Sequence, residues 1–295
     1  MDPVTERGHE IKVLDHGYVK FVESMGTDES IIESARMSTG KGFERWDAGV
    51  VCMASCGWTG GDSWNTCPNC DAGARKVPGD AKLLDFMYRN FHATPFEFCV
   101  LTVEVQAPIM VFREWMRHRT QSFSEMSARY TQMPDLHYVP AVERIQLQAK
   151  TNKQGSGEAI DPYNAGIVRE ALIAEQDEVY GYYNKLVNER GIAKEVARLN
   201  TPVSRYSRMR ATTDLRNWLG FLLLRMAPAA MWEIRQYANA VAEIVKSLWP
   251  RTYALFEEYD LHGVRLSRTE AARLHAIAFK SEADDILLQK LVQAK

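Results

Sequence analysis

The chain has no run of about 18 consecutive apolar residues, so a helical membrane span is excluded. Its opening residues, Met1 to Arg7, have neither the basic stretch nor the apolar centre of a secretory leader, and a cytoplasmic location is expected. There is no internal repeat and no sustained heptad pattern. There is also no excess of charge of one sign: 36 Lys and Arg face 38 Asp and Glu, for a net charge of −2. A surface built to grip nucleic acid broadly would be strongly basic, so neither nucleic acid nor membrane is an expected partner. Any anionic ligand must then be held by a local cluster of cations. Cysteine is sparse as well, five in 295 residues, but four of the five fall between positions 52 and 70.

What is present is an ordinary globular mixture, 46% hydrophobic and 25% charged. The length suits one large domain or two small ones. Ile11 to Leu14, the turn Asp15-His16-Gly17, and Tyr18 to Val22 read as strand, turn and strand. Thr27-Asp28-Glu29-Ser30 ahead of Ile31, Ile32 and Ala35 reads as a capped helix start. Residues 40–80, rich in Gly, Asp, Asn and Cys, read as a loop or small insert. Leu83, Leu84, Phe86 and Met87 mark a short helix. Leu101, Val103 and Val105 alternate with polar neighbours as in a half-buried strand, and Pro108 is suited to open a helix. Residues 145–160 are polar and are expected to form a mobile excursion.

The C-terminal half reads as helical. One apolar stripe runs from Leu215 through Trp218, Leu219, Leu222 and Leu223 to Met226, and Pro228 breaks it. A second runs from Met231 through Ile234, Tyr237, Val241, Ile244 and Val245 to Leu248, ending near Pro250. The last thirty residues carry a weak stripe at Leu274, Ile277, Ile286, Leu287 and Leu291. The expected class is α+β, with a modest sheet early and a mostly helical body after it.

The most informative stretch runs from Arg113 to Tyr130. It holds four arginines in 17 residues, with His118 between two of them. Successive helical positions turn by about 100°, so Arg117, His118 and Arg119 cannot share one face. That suits contact with several ligand groups, or with ligands of two subunits. Arginine favours phosphate because its planar fork donates two hydrogen bonds together. Ser122, Glu125 and Ser127 add hydroxyls and a carboxylate able to read a sugar or a base. The competing reading is a solvated charged turn. A nucleic-acid backbone fits less well, since the run has no lysine and Glu114 and Glu125 would repel it.

Arg117-His118-Arg119-Thr120-Gln121-Ser122 followed by Ser127-Ala128-Arg129 resembles the signature of flavin-dependent thymidylate synthases, Arg-His-Arg-x-x-Ser and then Ser-x-Arg. His92 to Glu97, Glu104 to Ile109, Tyr206-Ser207-Arg208 and Trp232-Glu233-Ile234-Arg235 agree with it in order, and the resemblance covers roughly residues 10–255. It implies an antiparallel or mixed sheet flanked by long helices. It further implies a homotetramer with active sites at subunit junctions. FAD would be the cofactor, with methylenetetrahydrofolate as carbon donor and NADPH as reductant. It places one domain over residues 1–262, with a Cys-containing insert near 50–80, and a helical extension over 263–295. It assigns flavin contact to His92, Thr94, Arg117, His118, Arg119, Glu125 and Arg225. It assigns the nucleotide site, for dUMP or UMP, to Glu114, Arg117, Glu125, Met126, Ser127, Ala128, Arg129, Arg208 and Arg235.

Uracil C5 is a poor nucleophile. A cysteine adding to C6 is one remedy, but Cys99 sits in a strand pattern where burial is the expected role. Polarising the ring is another. A guanidinium beside N3 and its carbonyl neighbour favours the electron-rich anion, and Arg235 is expected to supply it as the catalytic residue. The competing reading of Arg235 is an ion pair with Glu233 or Glu243. Arg129 and Arg208 would hold the nucleotide phosphate. Ser127 would bind phosphate or ribose, since no histidine is placed by sequence as its base.

Two features depart from the family pattern. Where the family usually has Asn or His shortly before Glu-Ile-Arg, this chain reads Met226-Ala227-Pro228-Ala229-Ala230-Met231. That keeps open a relative that methylates or hydroxymethylates UMP or dUMP for a modified nucleoside. The second is Cys52-x3-Cys56-x10-Cys67-Pro68-Asn69-Cys70, whose four thiols could hold a structural zinc. A reading from another class, a zinc-knuckle RNA-binding protein, rests on the same cysteines.

Overall fold

In the computed structural model, Ile11 to Val22 fold back on themselves as expected. Strand β1 (Glu10–Val13) and strand β2 (Gly17–Met25) pair antiparallel. The turn requires Gly17, because a Cβ there would meet the Tyr237 hydroxyl and the Val13 carbonyl well inside contact distance. Helix α1 (Asp28–Arg36) starts where the capping pattern puts it: the Thr27 amide donates to Ser30 Oγ at 3.1 Å and the Ser30 amide to Thr27 Oγ1 at 3.4 Å.

The chain continues through β3 (Gly49–Cys52), β4 (Thr59–Gly60), β5 (Ala74–Val77), α2 (Ala81–Arg89) and α3 (Thr94–Glu97). Then come β6 (Val100–Pro108), α4 (Ile109–Trp115), β7 (Ser122–Glu125), β8 (Gln146–Gln148), β9 (Ser156–Ala159), α5 (Pro162–Asn184) and α6 (Lys194–Ala197). The last elements are β10 (Tyr206–Asp214), α7 (Leu215–Arg225), α8 (Trp232–Leu248), α9 (Pro250–Phe256) and α10 (Arg268–Ala278). The structure describes residues 3–54, 56–61, 65–150 and 154–278, with side chains to 274. The chain divides into two compact units, residues 1–34 with 94–250, and residues 35–93 with 251–295.

The first unit is built on a five-stranded sheet in the order β1-β2-β6-β10-β7. Every pairing is antiparallel. One face is apolar: Val19, Phe21, Leu101, Val103, Val105, Met209 and Ala211 are all buried. Helices α7 and α8 pack there through Trp218, Phe221, Ile234, Tyr237 and Val241. The buried indoles are satisfied, as such groups must be: Trp218 donates to the Leu101 carbonyl at 3.0 Å and Trp115 to Gln121 Oε1 at 2.9 Å. Trp115, Trp218 and Phe221 pack ring against ring at 4.6 to 6.2 Å. The other face carries charge. Glu104 accepts from the Tyr18 hydroxyl at 3.0 Å and from Lys20 at 3.4 Å, and pairs with Arg210.

The second unit contains a three-stranded sheet, β4-β3-β5. Tyr88 donates to Asp260 and Tyr259 to Asp85, each at 2.7 Å, so α2 and the turn 257–261 are tied twice.

The α+β class holds, with differences in detail. β10, a central strand, lies in the half expected to be helical. Residues 40–80, expected as a loop or small insert, hold a three-stranded sheet. Within residues 145–160, expected as a mobile excursion, β8 and β9 pair as a hairpin, residues 151–153 lying outside the described ones. In the tail, α10 agrees with the expected helix and Leu274 is exposed. The stripe positions Ile277, Ile286, Leu287 and Leu291 fall outside the described side chains.

Candidate active site

Two cavities of the first unit and one group around a buried arginine collect eight of the fourteen residues expected at the nucleotide and flavin sites. The first cavity, about 550 Å³, forms where β7 pairs with β10 and the chain then turns over Met126 to Ala128. Met209 stands opposite Glu125 in register, and the Met126 amide donates to the Arg208 carbonyl at 2.8 Å. The cavity is lined by Glu125, Met126, Ser127 and Ala128, four expected residues. It is also lined by Arg113, Arg198 and Ser207, which sequence reasoning did not assign. Arg113 heads the arginine run and Ser207 lies inside a matched tripeptide, so both carried a signal. Arg198 sits alone in a short turn and carried none.

The second cavity, about 510 Å³, lies between the N-terminal end of α8 and the hairpin β8–β9. Arg235 lines it, along with Arg144, Gln148, Ala229 and Met231. Two acids were expected to compete for Arg235; Glu243 is exposed further along α8, and Glu233 is taken. It is 3% exposed and accepts from Arg144 Nε at 2.9 Å, Arg144 Nη2 at 3.2 Å and the Tyr138 hydroxyl at 3.2 Å. Arg235 Nε is buried and has no hydrogen-bond partner among the described residues. A buried unpaired donor costs about 1–3 kcal/mol, and of the described atoms in that state Arg235 Nε is the one beside this cavity.

The third group is centred on Arg225, which is largely buried near the C-terminal end of α7. Its Nε donates to His118 Nε2 at 2.9 Å, its Nη1 to Glu114 Oε2 at 3.0 Å and its Nη2 to the Glu114 carbonyl at 2.8 Å. A guanidinium can only donate, so Nε2 is the acceptor and the ring proton sits on Nδ1. Burial, and then the Arg225 charge, lower the His118 pKa to about 4. The imidazole is therefore neutral at physiological pH.

Other expected residues stand apart from these groups within one chain. Arg117 and Arg119 are exposed beside His118. Arg129 is exposed and pairs with Glu195 at 3.1 Å, and its amide donates to Ser127 Oγ at 3.3 Å. Strand alternation places Arg208 on the charged face of the sheet, beside Tyr18 and Gln106, and so on the opposite face from Ser207. Thr94 is exposed at the start of α3. His92 belongs to the second unit, where it is exposed and its ring meets Phe86 edge-on at 5.4 Å. Cys99 is fully buried, its Sγ 3.5 Å from the Thr27 carbonyl, and burial pushes its thiol up to about 12. It is not placed to attack anything.

In the second unit Cys52, Cys56, Cys67 and Cys70 converge as the spacing suggested, all four Sγ atoms lying within 4.8 Å of one another. Such a group can hold a metal ion. Among the described residues no helix is long and apolar enough to cross a membrane.

Comparison with known proteins gives a consistent picture. Residues 20–251 match the model of a family described as thymidylate synthase complementing protein. A flavin-dependent thymidylate synthase of Thermus thermophilus is 40% identical over 268 residues, covering 90% of this chain and 85% of that protein. One from Wolbachia pipientis wMel is 36% identical over 260 residues, covering 88% and 80%. Among solved structures, a UMP/dUMP methylase, PolB from Streptomyces cacaoi bound with 5-bromo-UMP, superposes with a TM-score of 0.66 at 27% identity. That alignment covers 85% of this chain and 97% of PolB.

Proposed function

The chain belongs to the thymidylate synthase complementing protein family, and on that premise we propose that it is a flavin-dependent thymidylate synthase. It transfers a one-carbon unit from methylenetetrahydrofolate to uracil C5 of dUMP, with NADPH as reductant. The flavin, FAD in this reading, supplies the reducing electrons when bound. The chain's own residues bind, orient and polarise.

The observation that carries the reading is the state of Arg235. Its neighbour Glu233 is neutralised by Arg144, and its own Nε is buried beside a cavity with no partner among the described residues. A guanidinium held in that way is free to stabilise negative charge on the pyrimidine ring. Its donors are set before the ligand arrives, and such a contact lowers a barrier by about 3–4 kcal/mol. Cys99, buried and with its thiol pushed up to about 12, is no alternative nucleophile.

Arg129 and Arg208 are assigned to the nucleotide phosphate. The cavity of Glu125 to Ala128 is assigned to base and sugar, with Arg113, Arg198 and Ser207 added to the expected set. The residues toward the flavin also fit. Exposed Arg117 and Arg119 suit a pyrophosphate, and neutral His118 offers a ring Nδ1–H without adding charge. Thr94 and Arg225 complete that side, Glu114, which pairs with Arg225, being assigned to the nucleotide, and His92 is assigned to the flavin from its place in the matched sequence. Arg235 and Ser127 line different cavities of one chain. We therefore propose that a site is completed between subunits of a homotetramer, in the cytoplasm. Residues 1–262 are taken as the family domain, with the Cys-containing insert, and 263–295 as an extension. Family membership leaves the RNA-binding alternative without support.

A second reading, methylation of UMP, is favoured by one feature. The cavity at Arg235 is lined by Pro228, Ala229 and Ala230 where the family usually has a polar side chain. A structural relative, PolB, is a UMP/dUMP methylase. The test is product analysis. The purified yellow protein is incubated with dUMP or UMP, NADPH and methylenetetrahydrofolate labelled at the transferred carbon. Labelled dTMP from dUMP supports the first reading, and labelled 5-methyl-UMP alone supports the second. Label on neither nucleotide, with flavin bound, overturns both.

A further inference from the structure

We propose that Cys52, Cys56, Cys67 and Cys70 form a closed tetrathiolate zinc site that holds the insert sheet together, independently of the flavin chemistry. The four thiols are free, with Cys52 and Cys67 buried and Cys56 and Cys70 exposed. Cys52 Sγ lies 3.4 Å from Cys70 Sγ, and Cys56 Sγ 3.5 Å from Cys67 Sγ. These separations exceed a disulfide bond, about 2.05 Å. Four sulfurs on a tetrahedron about 2.3 Å from a central zinc stand about 3.8 Å apart. The observed spread, from 3.4 Å to within 4.8 Å, brackets that value.

The backbone around the thiols is arranged for sulfur anions. The Ala54 amide donates to Cys52 Sγ at 3.3 Å, the Trp58 amide to Cys56 and the Ala72 amide to Cys70. In each case the donor is two residues past the cysteine. Gly57 and Asp71, the residues between in the last two, both have left-handed backbone, φ 80° and 56°. That conformation turns the following amide back toward the sulfur, and Gly and Asp tolerate it better than most residues. Amides aimed at metal-bound sulfur are the usual outer shell of a thiolate centre. The spacings Cys52-x3-Cys56 and Cys67-x2-Cys70 both fall in the range of zinc ligand pairs.

The site also answers a stability problem. Between residues 49 and 77, the buried apolar side chains among the described residues are Val50, Cys52, Cys67 and Val77. So small a core does not hold a three-stranded sheet, and a metal supplies what the core lacks. Cys52 ends β3, and Cys67 and Cys70 precede β5, its neighbour in the sheet. Binding one ion thus closes β3 onto β5. With four protein ligands there is no open position, so the ion is structural and takes no substrate.

The full-length protein, produced in zinc-supplemented medium and purified without chelator, provides the test. Elemental analysis is expected to give about one zinc per chain, and X-ray absorption four sulfurs at about 2.3 Å. Cys56→Ser and Cys70→Ser are expected to lower zinc at least fivefold. Chelation of the wild type is expected to lower its melting temperature, and added zinc to restore it. The wild-type measurements stand even if a variant fails to fold. Zinc below about a fifth of an equivalent per chain, or stoichiometric iron in its place, overturns the proposal. So does rapid reaction of all four thiols with a thiol reagent in the zinc-replete native protein.

Discussion

Arg225 donates its Nε–H to His118 Nε2 at 2.9 Å, so a histidine flanked by two arginines is held as a neutral acceptor. The sign of its titration follows. The folded pKa is about 4 and an unperturbed histidine titrates near 6.5. Between those values the unfolded chain takes up a proton and the folded chain does not. Stability is therefore fully present above about pH 6.5 and is lost as pH falls toward 4. Urea denaturation between pH 7 and pH 4.5 is expected to show a smaller loss in His118→Gln, which keeps an acceptor for Arg225 and removes the titration. Equal pH slopes for variant and wild type would contradict the assignment.

Arg144 and Glu233 make the buried ion pair that leaves Arg235 unclaimed. Removing one partner of such a pair typically costs about 3–5 kcal/mol, because the other charge stays buried without compensation. Arg144→Ala is expected to lower the denaturation midpoint sharply, since among the described residues only the Tyr138 hydroxyl would still meet Glu233. The double variant Arg144→Met with Glu233→Leu is expected to recover much of that loss. A single variant as stable as wild type would show that the pair is solvated in solution.

Much of the fold was legible where one residue face differs strongly from the other. Leu101, Val103 and Val105 against Thr102 and Glu104 announce β6, and the stripes of α7 and α8 are equally plain. β10 was hidden because its buried face is partly small or polar, Ser207, Met209, Ala211 and Thr213, while Arg208 and Arg210 alternate with them. Its burial comes from pairing with β6 and β7, which are distant in sequence. β7 has only Phe123 as an apolar residue and so carries no strand alternation. The signature run announced a concentration of cations but not its distribution. Strand alternation sends Arg208 and Ser207 to opposite faces, and Arg198 enters the cavity only because residues 198–203 fold over it. The cysteine spacing was visible, while the sheet it closes was not, since β3 to β5 are short and nearly coreless.

The cavity containing Ser127 and Ser207 gives a prediction for Arg198. A guanidinium that helps bind the nucleotide equally in ground and transition states raises KM and leaves kcat nearly unchanged. Arg198→Ala is expected to raise the KM for the nucleotide about tenfold, a charged contact of roughly 1.5 kcal/mol, with kcat within about twofold. Steady-state kinetics with varied nucleotide checks this. An unchanged KM would remove Arg198 from the site.

The turnover of Arg235→Ala bears most directly on the polarisation chemistry assigned here. With flavin occupancy measured by visible absorbance on the same sample, the account predicts a fall in kcat of about 10² to 10³, the scale of losing one preorganised charge-stabilising donor. Flavin should remain bound, and Arg235→Lys should recover only part of the rate, since a lysine cannot present the planar fork. A flavin-loaded Arg235→Ala enzyme that converts the nucleotide at close to the wild-type rate would contradict the account.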